Sequence, residues 1–139
     1  SDPELGTAPN GQVTDTAFRD QVMGAASEAA KKALSYSHAT FEEDRKAARS
    51  LMGDELAAQY DEAMDQVAEQ TASSKLTLKA EVMSVGLLSA KEHSATALLF
   101  VNTATTREGA KNQQIDQNRV LMELTRKDGD WIVSKMDAF

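Results

Sequence analysis

An α+β fold, with three N-terminal helices packed on an antiparallel sheet, is predicted from a change in periodicity along the chain. Up to about Ser74, apolar residues recur every three or four positions, as in amphipathic helices. Beyond Ser74 the period shortens to two, which is the period of a strand. Short loops join the predicted strands, and short connections favour antiparallel pairing. Helices that precede such a sheet of about four strands define the α+β class.

The first helix is expected from about Asp15 to Tyr36, with Thr14 or Asp15 as its N-cap. Its apolar residues form one stripe, and most of them are small, so a neighbouring element can pack closely. The stripe consists of Phe18, Val22, Ala25, Ala29, Ala33 and Tyr36.

Two further helices are expected between Thr40 and Ser74. Thr40 and Glu43 have the spacing of a capping box at the start of the second helix. Gly53 is expected to end that helix in a left-handed conformation. Asp54 then begins the third helix, and the run TASSK ends it, because its hydroxyl groups compete for backbone hydrogen bonds. The apolar positions of the third helix are Leu56, Tyr60, Met64 and Val67.

The first two long strands differ in their patterns. From Leu76 the apolar residues occupy even positions, and from Met83 they occupy odd positions, so a β-bulge is expected between Val82 and Gly86. The segment ATALLFVNTAT has apolar residues at both even and odd positions, so both faces of a strand would be apolar. This pattern predicts a central strand that is covered on both faces.

The last two strands are expected to form a hairpin. Residues of QIDQNRVLMELTRK alternate around Val120, Met122 and Leu124. The Asp-Gly pair that follows supplies the positive φ angles of a two-residue turn. The final strand carries Trp131, the single tryptophan of the chain.

One domain is expected over residues 15–139, a length that can bury its own core. The start, SDPELGT, reads as a cloning remnant over residues 1–7. Residues 8–14, with Pro9, Asn10 and Gly11, are expected to form a flexible lead-in. No apolar run approaches the ~20 residues that span a bilayer.

Composition and motifs argue against several functions. The chain has no cysteine, which excludes disulfides and thiolate chemistry. Residues 1–74 carry 14 acidic and 6 basic side chains, and such a surface disfavours nucleic acid. There is no phosphate loop, nucleophile elbow or metal-binding pair of histidines. We therefore expect no catalytic residue, no cofactor and no metal site. His38 and His93 are expected to be structural or surface residues.

Four aromatic residues are the candidate lining of a cavity. Tyr36, Tyr60, Phe100 and Trp131 lie on elements that are expected to face one another. Together they can line an apolar pocket between the curved sheet and the helices, which is a common location for a ligand. The alternative is that they fill the core of the domain.

Three stretches in order carry a resemblance to a known family. They are ALSYSHATFEEDRKAARSLMGDELAAQY, VMSVGLLSAKEHSATALLFVNTATT and NRVLMELTRKDGDWIVSKMDAF. The order of helices and strands resembles the NTF2-like, or SnoaL-like, cone fold. Within that superfamily the chain resembles the extracytoplasmic domain of Mce-associated membrane proteins of actinobacteria.

The resemblance implies a domain on the outer side of the plasma membrane, anchored by an N-terminal helix. It implies a non-enzymatic accessory role beside Mce lipid or sterol importers, in complex assembly or lipid passage. Its partners would be Mce complex proteins and a lipid or sterol. A sheet face without helix cover would also suit a homodimer. Two alternatives stay open: a SnoaL-like isomerase or cyclase that binds a small molecule, and a VirB8-type secretion scaffold.

Overall fold

The computed structural model describes residues 5–139, and they form three helices and one five-stranded sheet. The predicted cloning remnant, residues 1–7, lies mostly outside the described residues. In chain order the elements are α1 Thr16–Ala33, β1 Tyr36–Ser37, α2 Phe41–Arg49, α3 Asp54–Ser73, β2 Leu76–Ala90, β3 Ser94–Arg107, β4 Gln114–Lys127 and β5 Asp130–Ala138.

The sheet has the order β1-β2-β3-β4-β5, and every neighbouring pair is antiparallel. The predicted α+β class with helices before an antiparallel sheet is confirmed. The strand in addition to the predicted four is the short β1, in which Tyr36 pairs with Leu78 of β2. Tyr36 was expected at the end of α1. That helix ends at Ala33, and the Ser35 hydroxyl then accepts a hydrogen bond from the Ala80 backbone at 3.0 Å, which draws the chain along the sheet edge.

Helix α1 lies on the sheet through its small residues. Asp15 caps the helix as predicted, because its carboxylate accepts from the Phe18 backbone N–H at 2.9 Å. The buried positions of α1 are Phe18, Val22, Ala26, Ala29, Ala30 and Ala33. All of them except Ala33 pack against the buried residues of β2 to β5 in one apolar core. Alanine at four of these six positions lets the helix backbone approach the strands closely.

The junction between α2 and α3 differs from the prediction. Thr40 makes no capping-box contact, since its hydroxyl donates to Asp44, which also accepts from the Ser37 backbone N–H. Gly53 does not end α2 in a left-handed conformation. Its φ is −68°, and it precedes α3 as an extended N-cap. Residues 51–53 instead run beside β5: Val133 donates to the Leu51 carbonyl at 2.9 Å, and the Gly53 N–H donates to the Val133 carbonyl at 2.8 Å.

Two β-bulges shape β2. The pairing register with β3 shifts between Val82 and Ser84, which confirms the predicted bulge. A second shift lies between Leu87 and Ser89. Each shift leaves an extra residue, Met83 or Leu88, that is largely exposed. The final Asp-Gly hairpin also forms as predicted, with positive φ at Asp128 and Gly129.

Only one face of the sheet is covered by helices. On β3 the residues Ala95, Ala97, Leu99, Val101 and Thr103 are buried, whereas Phe100 is 47% exposed. The expectation that β3 is covered on both faces is therefore wrong, because all three helices precede the sheet and pack on the same side. We call the helix-free side the outer face.

The segment expected to be a flexible lead-in has specific contacts. Val13 is fully buried, and its backbone N–H donates to the Ala90 carbonyl. The Gln12 side-chain carbonyl accepts from the Ala90 N–H. Residues 12 and 13 therefore satisfy the backbone at the end of β2, which would otherwise be an open sheet edge. Among the described residues, no helix is long and apolar enough to cross a membrane.

Candidate functional site

The four aromatic residues proposed as a cavity lining do not share one cavity. Tyr36 lines a groove of about 170 Å³ between α3 and the sheet. Trp131 lines a separate groove of about 290 Å³ between α1 and β5. Phe100 lines a third groove, of about 500 Å³, on the outer face. Tyr60 lines none of these three grooves. The structure thus brings Tyr36 and Tyr60 into one cluster and separates the other two.

Tyr36 and Tyr60 belong to a small core at the corner of α2 and α3. Tyr36 stacks edge-to-face on Phe41 at 5.5 Å, and both pack against the cluster of Ala48, Tyr60 and Met64. Burial raises the pKa of Tyr36 and raises the pKa of Tyr60 to about 12. The Tyr60 hydroxyl is buried without a hydrogen-bond partner among the described residues. This cluster holds the two helices together.

An ion-pair network closes the same corner from outside. Arg45 contacts Asp65 at 2.8 Å and Asp61 at 3.0 Å, and Arg49 contacts the second Asp61 oxygen at 2.9 Å. The hydrogen bonds that Arg45 donates to Asp65 and Asp61 raise the pKa of its guanidinium. These ion pairs join α2 to α3. The network is therefore a structural clamp.

The isolated hydroxyl of Tyr60 predicts a pH-dependent stability. Its pKa of about 12 in the folded chain lies above the value near ~10 of an exposed tyrosine, so the stabilisation is complete below pH 10. It is lost as the pH rises towards 12, by roughly 2–3 kcal/mol. We expect Tyr60→Phe to flatten this decline in urea unfolding measured across that range. At neutral pH the variant should be equally stable or more stable, because the buried hydroxyl has no partner.

A matched Tyr36→Phe variant serves as the control. Tyr36 is half-buried rather than buried, so its removal should flatten the decline less. A decline between pH 10 and 12 that is identical in wild type and Tyr60→Phe would contradict this assignment.

Trp131 lies at the opposite end of the helical layer. The Trp131 ring meets the Phe18 ring edge-to-face, with 5.6 Å between the ring centres. The Arg126 guanidinium lies over the Phe18 ring, 5.5 Å from its centre. The indole N–H is buried without a partner among the described residues. Trp131 therefore fills the core between α1 and β5, which is the second of the two roles considered for it.

The core of the described residues contains no buried acid, lysine, arginine or histidine. Its buried polar residues are Thr71 and Thr103. His93 is exposed in the β2–β3 loop beside the equally exposed Glu92, at 3.8 Å. Within residues 5–139 no three acidic or histidine side chains come together as metal ligands would.

The outer face carries a transverse row of side chains from β2, β3, β4 and the residue that follows β5. Phe100 on β3 pairs with Ser84, next to the bulged Met83, on one side and with Arg119 of β4 on the other. Arg119 in turn exchanges two backbone hydrogen bonds with Phe139, at 2.8 and 3.0 Å. Met83, Phe100 and Phe139 are among the most exposed large apolar residues of the described chain. We call Met83, Phe100, Arg119 and Phe139 the outer row.

The groove of about 500 Å³ runs along this row. Asn102 and Gln117, which pair across β3 and β4, border it with amide groups. The Arg119 guanidinium stacks on Phe139, 4.7 Å from the ring centre. None of the ion pairs formed by the described residues includes Arg119. The groove thus offers an unpaired cation between aromatic and aliphatic walls.

Sequence reasoning missed Met83, Arg119 and Phe139 as site residues. Their convergence depends on the register of three strand pairs and on the first bulge of β2, which are long-range features. One local signal was present: Phe100 alternates with the buried positions Leu99 and Val101, and this parity places it on the opposite face.

No family model matches the chain. An uncharacterized protein of Mycobacterium tuberculosis, Rv1362c, is 30% identical over 125 residues, which are 89% of this chain and 57% of that protein. The chain therefore spans little more than half the length of the curated relative.

Solved structures match the described fold over most of its length. The periplasmic domain of DotI has a TM-score of 0.76 at 17% identity, covering 91% of this chain and 98% of that one. VirB8 of Agrobacterium tumefaciens has a TM-score of 0.74 at 9% identity, covering 90% and 94%. ActVI-ORFA of Streptomyces coelicolor has a TM-score of 0.69 at 13% identity, covering 90% and 96%. The fold is NTF2-like. At these identities, the NTF2-like likeness describes architecture and not activity.

Proposed function

We propose that this NTF2-like chain is a non-enzymatic accessory domain of a membrane-anchored protein on the extracytoplasmic side of the plasma membrane. It supports the assembly of an Mce lipid or sterol importer, or the passage of lipid through it. Its partners are proteins of the Mce complex. The M. tuberculosis relative, which is longer than this chain, leaves room for the anchor that this arrangement requires.

The observation that carries the proposal is where the exposed binding surface of the domain lies. The interior described for this chain is packed with apolar side chains and holds no acid or histidine. The outer face instead carries the exposed rings of Phe100 and Phe139 beside the Arg119 guanidinium. An NTF2-like domain that acts on a small molecule needs an ionisable group in its interior. A domain that binds other components of a complex needs its interacting side chains on its surface.

The likeness to secretion-system domains favours one alternative, a VirB8-type scaffold. One of these neighbours, the DotI structure, is a periplasmic domain. Both readings place the chain outside the cytoplasm and give it protein partners. Neighbouring genes separate them: a conjugative ATPase gene favours the scaffold, and Mce genes favour the importer.

Co-purification tests the importer proposal directly. The full-length protein, tagged and produced in its native host, is solubilised in mild detergent and its partners are identified by mass spectrometry. We expect Mce complex proteins to be enriched at least about tenfold over an untagged strain, as a specific interaction of micromolar or tighter affinity would give. The absence of every Mce protein, or enrichment of secretion-system components instead, would contradict the importer role.

A further inference from the structure

The groove on the outer face has the size of a ligand site. Its volume of about 500 Å³ lies within the range of roughly 300–1,000 Å³ that small-molecule sites occupy. Its walls are Phe100 and Met83 on one side and Phe139 on the other, with Arg119 between them. Met83, Phe100 and Arg119 belong to β2, β3 and β4, and Phe139, the residue after β5, is held to Arg119 by two backbone hydrogen bonds. The walls are therefore fixed by the sheet and its backbone hydrogen bonds.

The side-chain charge of the groove is opposite in sign to the net charge of the chain. The formal net charge is −7, yet the one charged side chain in this groove is the cation Arg119. The ring of Phe139 orients that guanidinium by stacking. Stacking uses the face of the guanidinium and leaves its N–H donors at the edge free for an anion. The Asn102 and Gln117 amides add donors at the same end.

The apolar walls favour a ligand that also has a hydrocarbon part. An anion alone would contact Arg119 and the amides, and it would leave Met83, Phe100 and Phe139 exposed to water. An anion with a hydrocarbon tail buries these side chains as well, at about 25 cal/mol for each Å² removed from water. One cation fits one anionic head group.

A second copy of the chain that docks with its two-fold axis at Arg119 fits this groove less well. Arg119 lies between Phe100 and Phe139 in the outer row. A two-fold axis through Arg119 would bring two guanidinium groups together, and like charges oppose such a contact. The groove is complementary to a carboxylate amphiphile and not to itself.

We infer that the outer groove binds a single-chain amphipathic carboxylate, with its head group on Arg119 and its tail along Phe100 and Met83, while the Phe139 ring orients the guanidinium. This inference rests on the proposed function, because it names the lipid class that such an accessory domain holds. The chemistry is reversible binding, and no bond is formed or broken. The bound molecule lies on the outside of the domain, where it is accessible for transfer.

The test uses dodecanoate as the probe, below its micelle concentration, with the 139-residue chain that forms the single domain. Isothermal titration calorimetry gives the affinity, and backbone amide shifts in NMR spectra give the site. We expect saturable binding with shifts at residues 83, 100, 119 and 139. Arg119→Gln should weaken binding at least about tenfold, which is the loss of one charge-assisted hydrogen-bond pair.

Two controls are matched to this variant. Lys135→Gln makes the same charge change on the same face, at a residue that pairs with Glu123 and does not line the groove, and it should alter the affinity less than about twofold. Dodecyltrimethylammonium has the same tail and the opposite charge, and it should bind at least about tenfold more weakly than dodecanoate. Circular dichroism confirms that the exposed substitutions leave the fold intact.

Three results would overturn the inference. They are equal dodecanoate affinity in wild type and Arg119→Gln, amide shifts confined to the helical side, and a concentration-dependent dimer in sedimentation that Phe100→Ser dissolves. Failure here is separable from failure of the importer role. Dodecanoate that does not bind, together with Mce proteins that co-purify, removes only the groove assignment. Binding without co-purification removes only the importer.

Discussion

Replacing Leu99 with alanine is expected to lower the free energy of unfolding by about 2–5 kcal/mol, whereas Phe100→Ala should change it by less than about 1 kcal/mol. The two residues are neighbours on β3 and point to opposite faces. Leu99 is fully buried in the core, and Phe100 is 47% exposed on the outer face. Deletion of the leucine side chain leaves a cavity beneath α1. Deletion of the phenylalanine ring leaves no cavity in the core, because the ring already lies in contact with solvent.

Urea unfolding followed by far-ultraviolet circular dichroism measures both variants under the same conditions. The adjacent positions make each variant the control for the other, since strand propensity and chain location are shared. A loss for Phe100→Ala equal to that for Leu99→Ala would mean that the outer face is covered, for example by self-association. The assignment of the helix-free face would then be incorrect.

Trp131→Ala is expected to cost about 3–5 kcal/mol, because it empties the space between α1 and β5. The indole is 8% exposed and supports the Phe18 ring that Arg126 overlies. Trp131→Phe should cost less than about 2 kcal/mol, since it keeps an aromatic ring against Phe18 and removes a buried N–H that has no partner. Thermal unfolding monitored by circular dichroism compares the two variants.

The comparison separates packing from hydrogen bonding at this position. Equal losses for Trp131→Ala and Trp131→Phe would indicate that the indole N–H has a partner that the geometry does not reveal. The aromatic ring would then contribute little by its volume, and Trp131 would have to be reconsidered as part of a polar site.

Much of the fold was predictable because its signals are local. The cap at Asp15, the start of α3 at Asp54 and the Asp-Gly turn each depend on a few neighbouring residues and on rules of short range. The bulge after Val82 was also visible, since the switch of apolar parity within one strand requires an extra residue.

Other features were wrong in the prediction because tertiary contacts decide them. Thr40 bonds to Asp44 instead of closing a capping box, since Asp44 also accepts from the Ser37 backbone. Gly53 is held extended by hydrogen bonding to Val133, about eighty residues away in sequence. Neither partner can be read from the neighbouring sequence.

The candidate site was the least predictable part. The four aromatic residues were grouped by the expectation that their elements face one another, which holds for Tyr36 and Tyr60 but not for Phe100. Three members of the outer row carry no motif, and they meet only because three strand registers align them. Such a groove is a property of the assembled sheet.

The short contact of residues 51–53 with β5 has a mechanical meaning for the domain. Val133 is hydrogen-bonded on that flank to the α2–α3 junction, so separating the last strand also breaks two backbone bonds to the helical layer. The two layers are therefore coupled through the main chain as well as through side-chain packing, which favours unfolding of the domain as one cooperative unit.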